Sequence, residues 1–199
     1  MDTAYAGLFG YVSGTIKVLG IHSGTLAPDG KSANTYVAPL VAYLTGTVEN
    51  CYSKAVVSTS ITNNIYAGGL VGHVDTAATV KDSYAAGKVS ATSSSGFAYA
   101  GGFVGANKGT IEGSLAFGNV TAKGSNETYS RNGGFVATND GTLTECYRSE
   151  KQKLIKYTTS GSAYCEDGTI DSIANMISYA KTNWDSSVWE FNLKYPNHK

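Results

Sequence analysis

The sequence predicts an all-β chain folded as a right-handed β-solenoid, or β-helix, of about five coils, with a C-terminal capping helix and an aromatic segment. Three observations lead there: a repeat of about 32 residues, strand-forming composition inside each repeat, and a helical pattern after the repeat stops. Handedness is taken by analogy with other solenoids. We therefore predict two units, a solenoid over 1–148 and a cap over 149–199 made of a linker, an amphipathic helix and a terminal strand.

The repeat is visible at three aligned positions. YAGGFVG at Tyr99 has relatives that read AYAGLFG, YVAPLVA, YAGGLVG and RNGGFVA. The first aligned position holds apolar residues, the second threonine and the third aliphatic residues: Leu8, Leu40, Leu70, Phe103, Phe135; Thr15, Thr47, Thr79, Thr110, Thr142; Leu26, Val57, Val89, Val120. One period in three registers indicates a solenoid, a propeller or another array of repeats.

The residues inside each repeat favour strands. Short runs such as Thr79 to Tyr84 are rich in β-branched and aromatic types, and glycines separate them. Each unit is predicted to hold three short strands joined by turns. Because a four-stranded propeller blade takes about 40 residues or more, a repeat of about 32 fits one coil of a solenoid better.

Stacked coils put equivalent side chains in columns at a spacing of about 4.8 Å. We expect two inward apolar ladders, namely the Leu8 series above and Ile16, Val48, Val80, Ile111 and Leu143. A third column holds the small residues Cys51, Ser83, Ser114 and Cys146. Cys51 and Cys146 are three coils apart, roughly 14 Å, beyond the ~7 Å that a disulfide spans. Both cysteines should be free, buried and unreactive.

Tyrosines also form columns. Tyr5, Tyr36, Tyr66 and Tyr99 are the candidate binding residues, because stacked, exposed rings could hold a sugar chain or a peptide. The alternative is that the rings stabilise neighbouring coils. A second column of Tyr52, Tyr84 and Tyr147 is interrupted by Leu115, which favours packing. Four variable loops are the other candidate binding regions: Asp29 to Thr35, Thr59 to Asn64, Thr92 to Phe97 and Lys123 to Ser130.

The cores GGLVG and GGFVG, each followed by a segment of the type GT[VIL]xx[CS]Y, resemble the GLUG motif. That motif occurs in tandem in large bacterial surface proteins, including adhesin-like proteins and the non-catalytic regions of some IgA-cleaving metallopeptidases. The resemblance covers most of residues 4–148, although the second copy reads APLVA at Ala38. It implies a bacterial protein that is secreted or displayed at the cell surface.

The C-terminal region follows another pattern. Asp167, Gly168 and Thr169 resemble a helix start with Thr169 as N-cap, and one helix face would carry Ile170, Ile173, Met176, Ile177 and Ala180. This helix of about three turns is predicted to cover the open last coil. The run RSEKQKLIK from Arg148 should be exposed. Trp184, Trp189, Phe191 and Tyr195 should pack on the helix, with an aromatic binding cleft as the alternative.

Composition and motifs argue against several functions. The 15 basic and 15 acidic residues balance, which does not favour nucleic-acid binding. No apolar run is long enough to span a bilayer, and no signal peptide is recognisable. The first coil has no cap, so we expect the natural protein to continue upstream. Neither HExxH nor GxSxG occurs. No catalytic residue, metal or cofactor is predicted, and His73 lies at a repeat position expected to be on the surface.

The sequence thus predicts a non-catalytic module of a larger secreted bacterial protein, a monomer that acts as an adhesive or structural stalk. A glycan or an extracellular host protein would be its partner. One alternative is a β-helix polysaccharide lyase or glycoside hydrolase, whose candidates are Asp75, Asp82, Lys81, Lys88 and Glu112. These charges do not stack in a column of one sign, since Lys17, Glu49, Lys81 and Glu112 alternate. The other alternative is a pure spacer beside a peptidase domain.

Overall fold

The chain winds into a parallel β-solenoid of five coils, which confirms the predicted fold class. The structure is a computed structural model that describes residues 3–29, 31–155, 163–165, 168–191 and 195–199. Each coil passes through five sheets, named A to E here in chain order, and every pairing between coils is parallel. The handedness stays a prediction.

The strands of each sheet come from successive coils. Sheet A holds Thr3–Ala6, Asn34–Val37, Asn64–Gly68, Ala98–Gly101, Ser130–Gly133 and Ala163–Cys165. Sheet B holds Phe9–Val12, Val41–Leu44, Val71–Val74, Val104–Asn107 and Val136–Asn139. Sheet C holds Thr15–Lys17, Thr47–Glu49, Thr79–Lys81, Thr110–Glu112 and Thr142–Thr144. Sheet D holds Gly20–Ile21, Tyr52–Ser53, Tyr84–Ala85, Leu115–Ala116, Tyr147–Ser149 and Thr169–Asp171. Sheet E holds Thr25–Leu26, Val56–Ile61, Val89–Ser93, Val120–Lys123 and Leu154–Ile155.

The predicted three strands per coil are wrong, because each coil has five. Several strands of sheets D and E are two residues long, as at Tyr84–Ala85. An alternation of apolar and polar residues cannot be recognised over two residues. A short 3₁₀ turn over Glu127–Tyr129 also lies in the last variable loop.

The predicted registers are confirmed. The threonine column, the ladder from Ile16 to Leu143 and the aliphatic column that begins at Leu26 all pair between coils as expected. Leu40, Leu70, Phe103 and Phe135 are fully buried. Leu8 is 60% exposed, contrary to the prediction of an inward ladder, because coil 1 has a neighbouring coil on one side only.

The paired glycines lie where sheet A turns into sheet B. A Cβ at Gly101 would come within 1.8 Å of the Val104 carbonyl oxygen, and one at Gly102 within 2.2 Å of the Gly134 carbonyl. Glycine is therefore needed for close backbone approach at this corner.

The turn between sheets C and D repeats a backbone device that the sequence did not reveal. Its first residue has positive φ in every coil: Val18, Asn50, Asp82, Gly113 and Glu145. In coils 2 to 5 the next residue is Ser or Cys, and its side chain donates to a carbonyl two residues earlier; in coil 1 it is Leu19. Ser83 Oγ lies 2.7 Å from the Lys81 carbonyl and Cys146 Sγ lies 3.4 Å from that of Thr144. These bonds explain the small column.

The two cysteines of this column are free and buried, as predicted. Burial raises the pKa of the Cys51 thiol to about 11 and that of Cys146 to about 12. Both thiols are therefore protonated at neutral pH, where the nucleophilic thiolate is scarce.

The solenoid sheets run past residue 148. Coil 5 ends with Leu154–Ile155, and Ala163–Cys165 and Thr169–Asp171 add sixth strands to sheets A and D. The prediction that the run from Arg148 is exposed is wrong in part, because Arg148 and Gln152 are buried. Gln152 Nε2 donates to the Gly118 and Gly134 carbonyls, at 2.5 and 2.8 Å. The division into units at residue 148 stays a prediction.

An α-helix, Ile173–Asn183, follows, three turns long as predicted. Its N-cap is Ser172, whose Oγ accepts from the Asn175 amide at 3.2 Å. The predicted start at Thr169 is wrong, because residues 169–171 are needed as a strand of sheet D, where Ile170 is 55% exposed. An antiparallel pair, Trp189–Glu190 and Asn197–His198, ends the chain.

The helix and the terminal pair, residues 173–191 and 195–199, form a strap along one flank of the solenoid. Trp184 Nε1 donates to the Gly113 carbonyl in coil 4 at 2.8 Å. Trp189 Nε1 donates to Asn50 Oδ1 in coil 2 at 2.9 Å. The helix therefore does not lie where it was predicted, over the end of the last coil. The apolar face of the helix packs instead on the outward residues of sheet D, where Met176 and Ala180 join one cluster with Tyr84 and Leu115.

Some predicted features lie outside the described residues. They are Asp167 of the helix start, Gly30 of the first variable loop, Lys156 of the charged run and residues 192–194 of the closing segment. Within the described part of the chain, no helix has the length and apolar character needed to cross a membrane.

Candidate binding site

Two aromatic columns lie side by side on the outer surface of sheets A and B. The first column holds the predicted tyrosines, whose rings stack from coil to coil. The centroid separations are 5.9 Å for Tyr5 to Tyr36, 4.9 Å for Tyr36 to Tyr66 and 5.0 Å for Tyr66 to Tyr99. Because the strands pair in parallel and in register, the same side chain recurs at each step.

The second column was not predicted as an aromatic feature. Tyr11 stacks on Tyr43 at 5.6 Å, and Tyr43 stacks on His73 at 4.5 Å. The two columns meet edge to face, with Tyr36 5.2 Å from Tyr43 at 84°. This geometry suits the quadrupoles of aromatic rings. We call the two columns together the open aromatic face.

The rings of this face are partly accessible. Tyr5 is 43% and Tyr11 56% exposed, and Tyr36, Tyr66 and Tyr99 are half-buried. The rings therefore stabilise adjacent coils and also present edges and hydroxyl groups to solvent. Both predicted roles of the tyrosine column are compatible with this placement.

Two variable loops extend the face beside coil 4. Phe97, from the loop before sheet A, stacks on Tyr99 at 5.5 Å, and Tyr129 meets Phe97 edge to face at 4.4 Å. The guanidinium of Arg131 lies 5.4 Å from the Tyr99 ring centroid in a cation–π contact. The loops and the tyrosine column thus form one surface.

A hollow of about 210 Å³ lies where the second column stops. The register position that holds Tyr11, Tyr43 and His73 continues with Ala106 and Thr138. Since those two side chains are small, the space beside Tyr66 and Tyr99 stays empty of rings. We call this space the Ala106 hollow.

The rim of the hollow carries polar groups. Lys108 and Asp140 line it and are exposed, and Asn107 lines it from a buried position. Asn107 is held in place because its Nδ2 donates to Asn139 Oδ1 at 2.7 Å and its Oδ1 accepts from the Gly109 amide at 3.1 Å. Charges of both signs therefore border a half-aromatic hollow.

His73, which also lines the hollow, is buried at 5% exposure. The prediction of a surface position is wrong, because neighbouring rings cover the imidazole on the packed face. Burial lowers the pKa of His73 to about 4, with Lys108 lowering it further and Asp75 opposing. The imidazole is therefore neutral at physiological pH, and its Nδ1 has no hydrogen-bond partner among the described residues.

The hydroxyls of Tyr36, Tyr66 and Tyr99 stay protonated at neutral pH. Burial raises the pKa of Tyr66 to about 12, and it also raises those of Tyr36 and Tyr99. Tyr43 Oη donates to Asp75 Oδ2 at 3.1 Å. A neutral hydroxyl can both donate and accept a hydrogen bond.

The aromatic side chains at the C-terminus, which were the alternative candidates for a binding cleft, pack on one another and on sheet D. Trp184 and Trp189 are buried, with ring centroids 4.9 Å apart and planes tilted by 44°, and Trp189 packs against Tyr52 and Tyr84. Phe191 and Tyr195 pack against the same cluster. These rings hold the strap on sheet D. The second tyrosine column therefore has a packing role, as predicted.

The candidate residues for a lyase or hydrolase are divided between two surfaces: Asp82, Lys81 and Glu112 lie together where sheet C ends, and Asp75 lies apart from them. Lys81 pairs with Glu49 at 3.2 Å, and Glu49 also pairs with Lys17 at 2.7 Å. Asp82 lies beside Gly113 and the strap, whereas Asp75 lies beside the open aromatic face. Within the described ranges no group of three or more His, Cys, Asp or Glu side chains is placed to hold a metal ion.

Coil 3 carries the match to a known family. Residues 63–90 match the GLUG motif. This chain contains a GLUG motif. The matched stretch includes Tyr66 and His73, so the motif contributes one ring to each column of the open aromatic face. The resemblance read from the repeated cores is confirmed.

The solenoid also resembles a solved structure, a crystal structure of a "putative immunoglobulin A1 protease" from Bacteroides ovatus. The TM-score is 0.61 at 19% identity, over 99% of this chain and 74% of that chain. At this identity the likeness concerns the fold alone. No curated protein matches the sequence. Motif and fold together fit a repeat domain.

Proposed function

We propose that this chain is a non-catalytic adhesive module of a larger bacterial protein, secreted or displayed at the cell surface, that binds a glycan through the open aromatic face. The observation that carries the proposal is the pair of aromatic columns on sheets A and B, which the chain's own strap leaves uncovered. Aromatic rings with a polar rim are typical of ligand sites that combine apolar contact with a few fixed hydrogen bonds.

The surface suits a carbohydrate. A pyranose has an apolar face of C–H groups that packs on aromatic rings, and hydroxyls that both donate and accept. The protonated tyrosine hydroxyls and the Lys108 and Asp140 side chains supply partners of both kinds. Phe97 and Tyr129 extend the aromatic surface, so a chain of several sugars would have room along it.

The non-catalytic role rests on the separation of Asp75 from Asp82 and on the ion pair between Lys81 and Glu49. General acid–base catalysis needs groups within hydrogen-bond reach of one reacting atom. Asp75 lies beside the open aromatic face and Asp82 lies beside the strap, and Lys81 forms an ion pair with Glu49. The extracellular location rests on the GLUG motif and on the likeness to the Bacteroides ovatus protein.

The test is binding of the full chain to an array of glycans and extracellular host proteins. The double variant Tyr36→Ser/Tyr66→Ser should lose the glycan signal and keep its β-type circular dichroism. Ile170→Ser is the control, because it removes an exposed apolar side chain on sheet D, away from the open aromatic face, and should bind like the wild type.

Three results would contradict the proposal. Silence of the folded wild type across the array would favour a pure spacer. Binding that survives the double variant would place the ligand elsewhere. Turnover of a polysaccharide that is lost in Asp75→Asn would make the chain an enzyme.

A further inference from the structure

The N-terminal end of the solenoid presents an unpaired strand edge in every sheet. We call it the coil 1 edge; its strands are Thr3–Ala6, Phe9–Val12, Thr15–Lys17, Gly20–Ile21 and Thr25–Leu26, each outermost in its sheet. The backbone N–H and C=O groups along such an edge can pair with a strand of another chain. Natural proteins often protect edges with charged residues or proline, but residues 3–16 contain neither. This part of the edge is therefore open to pairing.

The coil 1 edge also leaves apolar side chains uncovered. Leu8 is 60% exposed, whereas the equivalent residues of coils 2 to 5 are fully buried. The other large exposed hydrophobic side chains of coil 1 are Tyr5, Phe9, Tyr11 and Val18. A hollow of about 230 Å³ with mainly apolar walls lies beside Leu8 and is also lined by Ile21 and Leu26. Removal of this apolar surface from water is favourable, so the edge favours contact with another protein surface.

The opposite end of the solenoid does not match this edge. Sheets A and D gain a sixth strand there, Ala163–Cys165 and Thr169–Asp171, whereas sheets B, C and E end with coil 5 in the part of the chain that the structure describes. That end therefore stops at two different coils, while all five sheets of the coil 1 edge stop at the same coil. A second copy of the coil 1 edge matches it better than the opposite end does.

Charge also permits contact between two copies of this edge. In a two-fold contact, residues near the axis meet the same residues of the second copy, so a charged group there is repelled by its counterpart. Residues 3–16 carry no charged side chain, and Lys17, which follows them, pairs with Glu49 of coil 2 at 2.7 Å. Contact of the edge with itself through sheets A and B is therefore not opposed by charge, and a charged partner finds no opposite charge there.

We propose that two copies of this chain associate end to end through their coil 1 edges, about a two-fold axis at the corner between sheets A and B. Thr3–Ala6 of each copy pairs in antiparallel orientation with Phe9–Val12 of the other, and both strands are four residues long. Leu8, which lies at this corner, packs against Leu8 of the second copy. The inference goes beyond the proposed glycan binding and departs from the predicted monomer.

This contact joins the open aromatic faces of the two copies. Tyr5 and Tyr11 are the coil 1 ends of the two aromatic columns. Because the axis exchanges sheets A and B, Tyr5 of one copy lies next to Tyr11 of the other, and each column continues into a column of the second copy. Two linked faces hold a long or repetitive ligand more tightly than one face does.

Sedimentation velocity of the full chain without any ligand, from low micromolar to submillimolar concentration, tests the inference. The wild type should shift reversibly from one chain toward two chains and no further. Leu8→Lys should weaken association about tenfold or more, because two lysines then meet at the axis. Ile170→Lys is the matched control: it introduces the same charge at a 55% exposed apolar position near the opposite end, and it should associate like the wild type.

A mixture of two variants tests the two-fold arrangement itself. Leu8→Glu alone should be as monomeric as Leu8→Lys, because like charges meet in both cases. An equimolar mixture of the two should associate, since opposite charges then face each other across the axis. A variant that had merely failed to fold would not be rescued in this way, and circular dichroism of each variant checks folding independently.

Several outcomes overturn the inference. A wild type that stays monomeric at every concentration leaves the edge to another occupant, such as an upstream coil of a longer protein. Assemblies that grow beyond two chains, or loss of association in Ile170→Lys, indicate head-to-tail stacking. Association of Leu8→Lys that equals the wild type, or a mixture that stays monomeric, excludes the two-fold contact at Leu8. Because no glycan is present, none of these outcomes bears on the proposed function, which the array tests separately.

Discussion

The molecule carries tyrosine ladders on two faces, and they differ in what covers them. On sheets A and B the rings of the open aromatic face are half-exposed. On sheet D the ladder of Tyr52, Tyr84 and Leu115 is buried beneath the strap, and Tyr84 is fully inaccessible. The repeat builds both ladders from the same in-register pairing. The strap covers the ladder on sheet D, which therefore becomes part of the core. The strap does not cover the rings on sheets A and B, which therefore stay at the surface.

The largest expected difference between the faces comes from removing one ring. Trp189→Ala should lower the free energy of unfolding by about 3–5 kcal/mol, because Trp189 is buried on Tyr52 and Tyr84 and its loss leaves a cavity. Tyr66→Ala on the open face should cost about 1–2 kcal/mol. Urea unfolding measures both, and equal losses would mean that the strap contributes no more than the open face.

A hydroxyl deletion sharpens the comparison at smaller scale. Tyr84 Oη donates to the Pro196 carbonyl at 2.7 Å in a buried bond. Tyr84→Phe leaves that acceptor unpaired and should cost about 1–3 kcal/mol. Tyr66→Phe, the matched change on the open face, should cost less than about 0.5 kcal/mol. A larger loss for Tyr66→Phe than for Tyr84→Phe would reverse the assignment of covered and open ladders.

The two faces should also respond to pH with opposite sign. Burial raises the pKa of Asp82, beside the strap, from 3.8 to about 6, with Lys81 opposing and Glu112 and Glu49 adding to the rise. The folded state then holds its proton more tightly, so stability falls as pH rises from about 4 to 6. Asp82→Asn should abolish that decline in urea unfolding midpoints measured from pH 3 to 7.

Asp75 on the open face is the counterpart. A hydrogen bond from the Thr76 amide is the main cause that lowers the pKa of Asp75 below 3.8. Its contribution to stability is therefore present above about pH 4 and lost as the pH falls further. Asp75→Asn should remove only the loss of stability that the wild type shows as the pH falls below about 4. If Asp75→Asn and Asp82→Asn change stability over the same pH range, the proposed electrostatic difference between the faces is wrong.

The smallest effect on stability is expected where the first tyrosine column of the open aromatic face ends, at Tyr99. Arg131 is exposed and lies over Tyr99, so Arg131→Ala should cost about 0.5 kcal/mol, the usual value of an exposed cation–π contact. Arg131→Lys should keep part of the cation–π stabilisation. Differential scanning calorimetry of the two variants measures the difference, and a loss above 2 kcal/mol would indicate that this end of the face is packed rather than open.

The repeat allowed the columns to be predicted, because in-register stacking converts a sequence period directly into contacts. The apolar ladder, the threonine column and the tyrosine column all follow from alignment of the copies. The Ala106 hollow could have been found the same way, since Tyr11, Tyr43 and His73 give way to Ala106 and Thr138 at one aligned position. What the alignment lacked was the knowledge that this position lies beside the first tyrosine column.

Other features had no such signal. The turn with positive φ uses Val18, Asn50, Asp82, Gly113 and Glu145. Asn, Asp and Gly favour that conformation, but Val and Glu do not, so the aligned position carries no common signal. The course of the strap depends on contacts more than 70 residues apart in sequence, such as Trp184 with Gly113. The amphipathic pattern indicates that a helix has an apolar face, but it does not indicate which surface receives that face.

The most direct test of the account is hydroxyl-radical footprinting of the full chain, alone and with the glycan that gives the strongest array signal. The account predicts that Tyr36, Tyr66 and Tyr99 are oxidised several-fold faster than Tyr84, and that the glycan protects these three residues and leaves the oxidation of Tyr84 unchanged. Equal oxidation of the two ladders, or protection confined to sheet D and the strap, would contradict it.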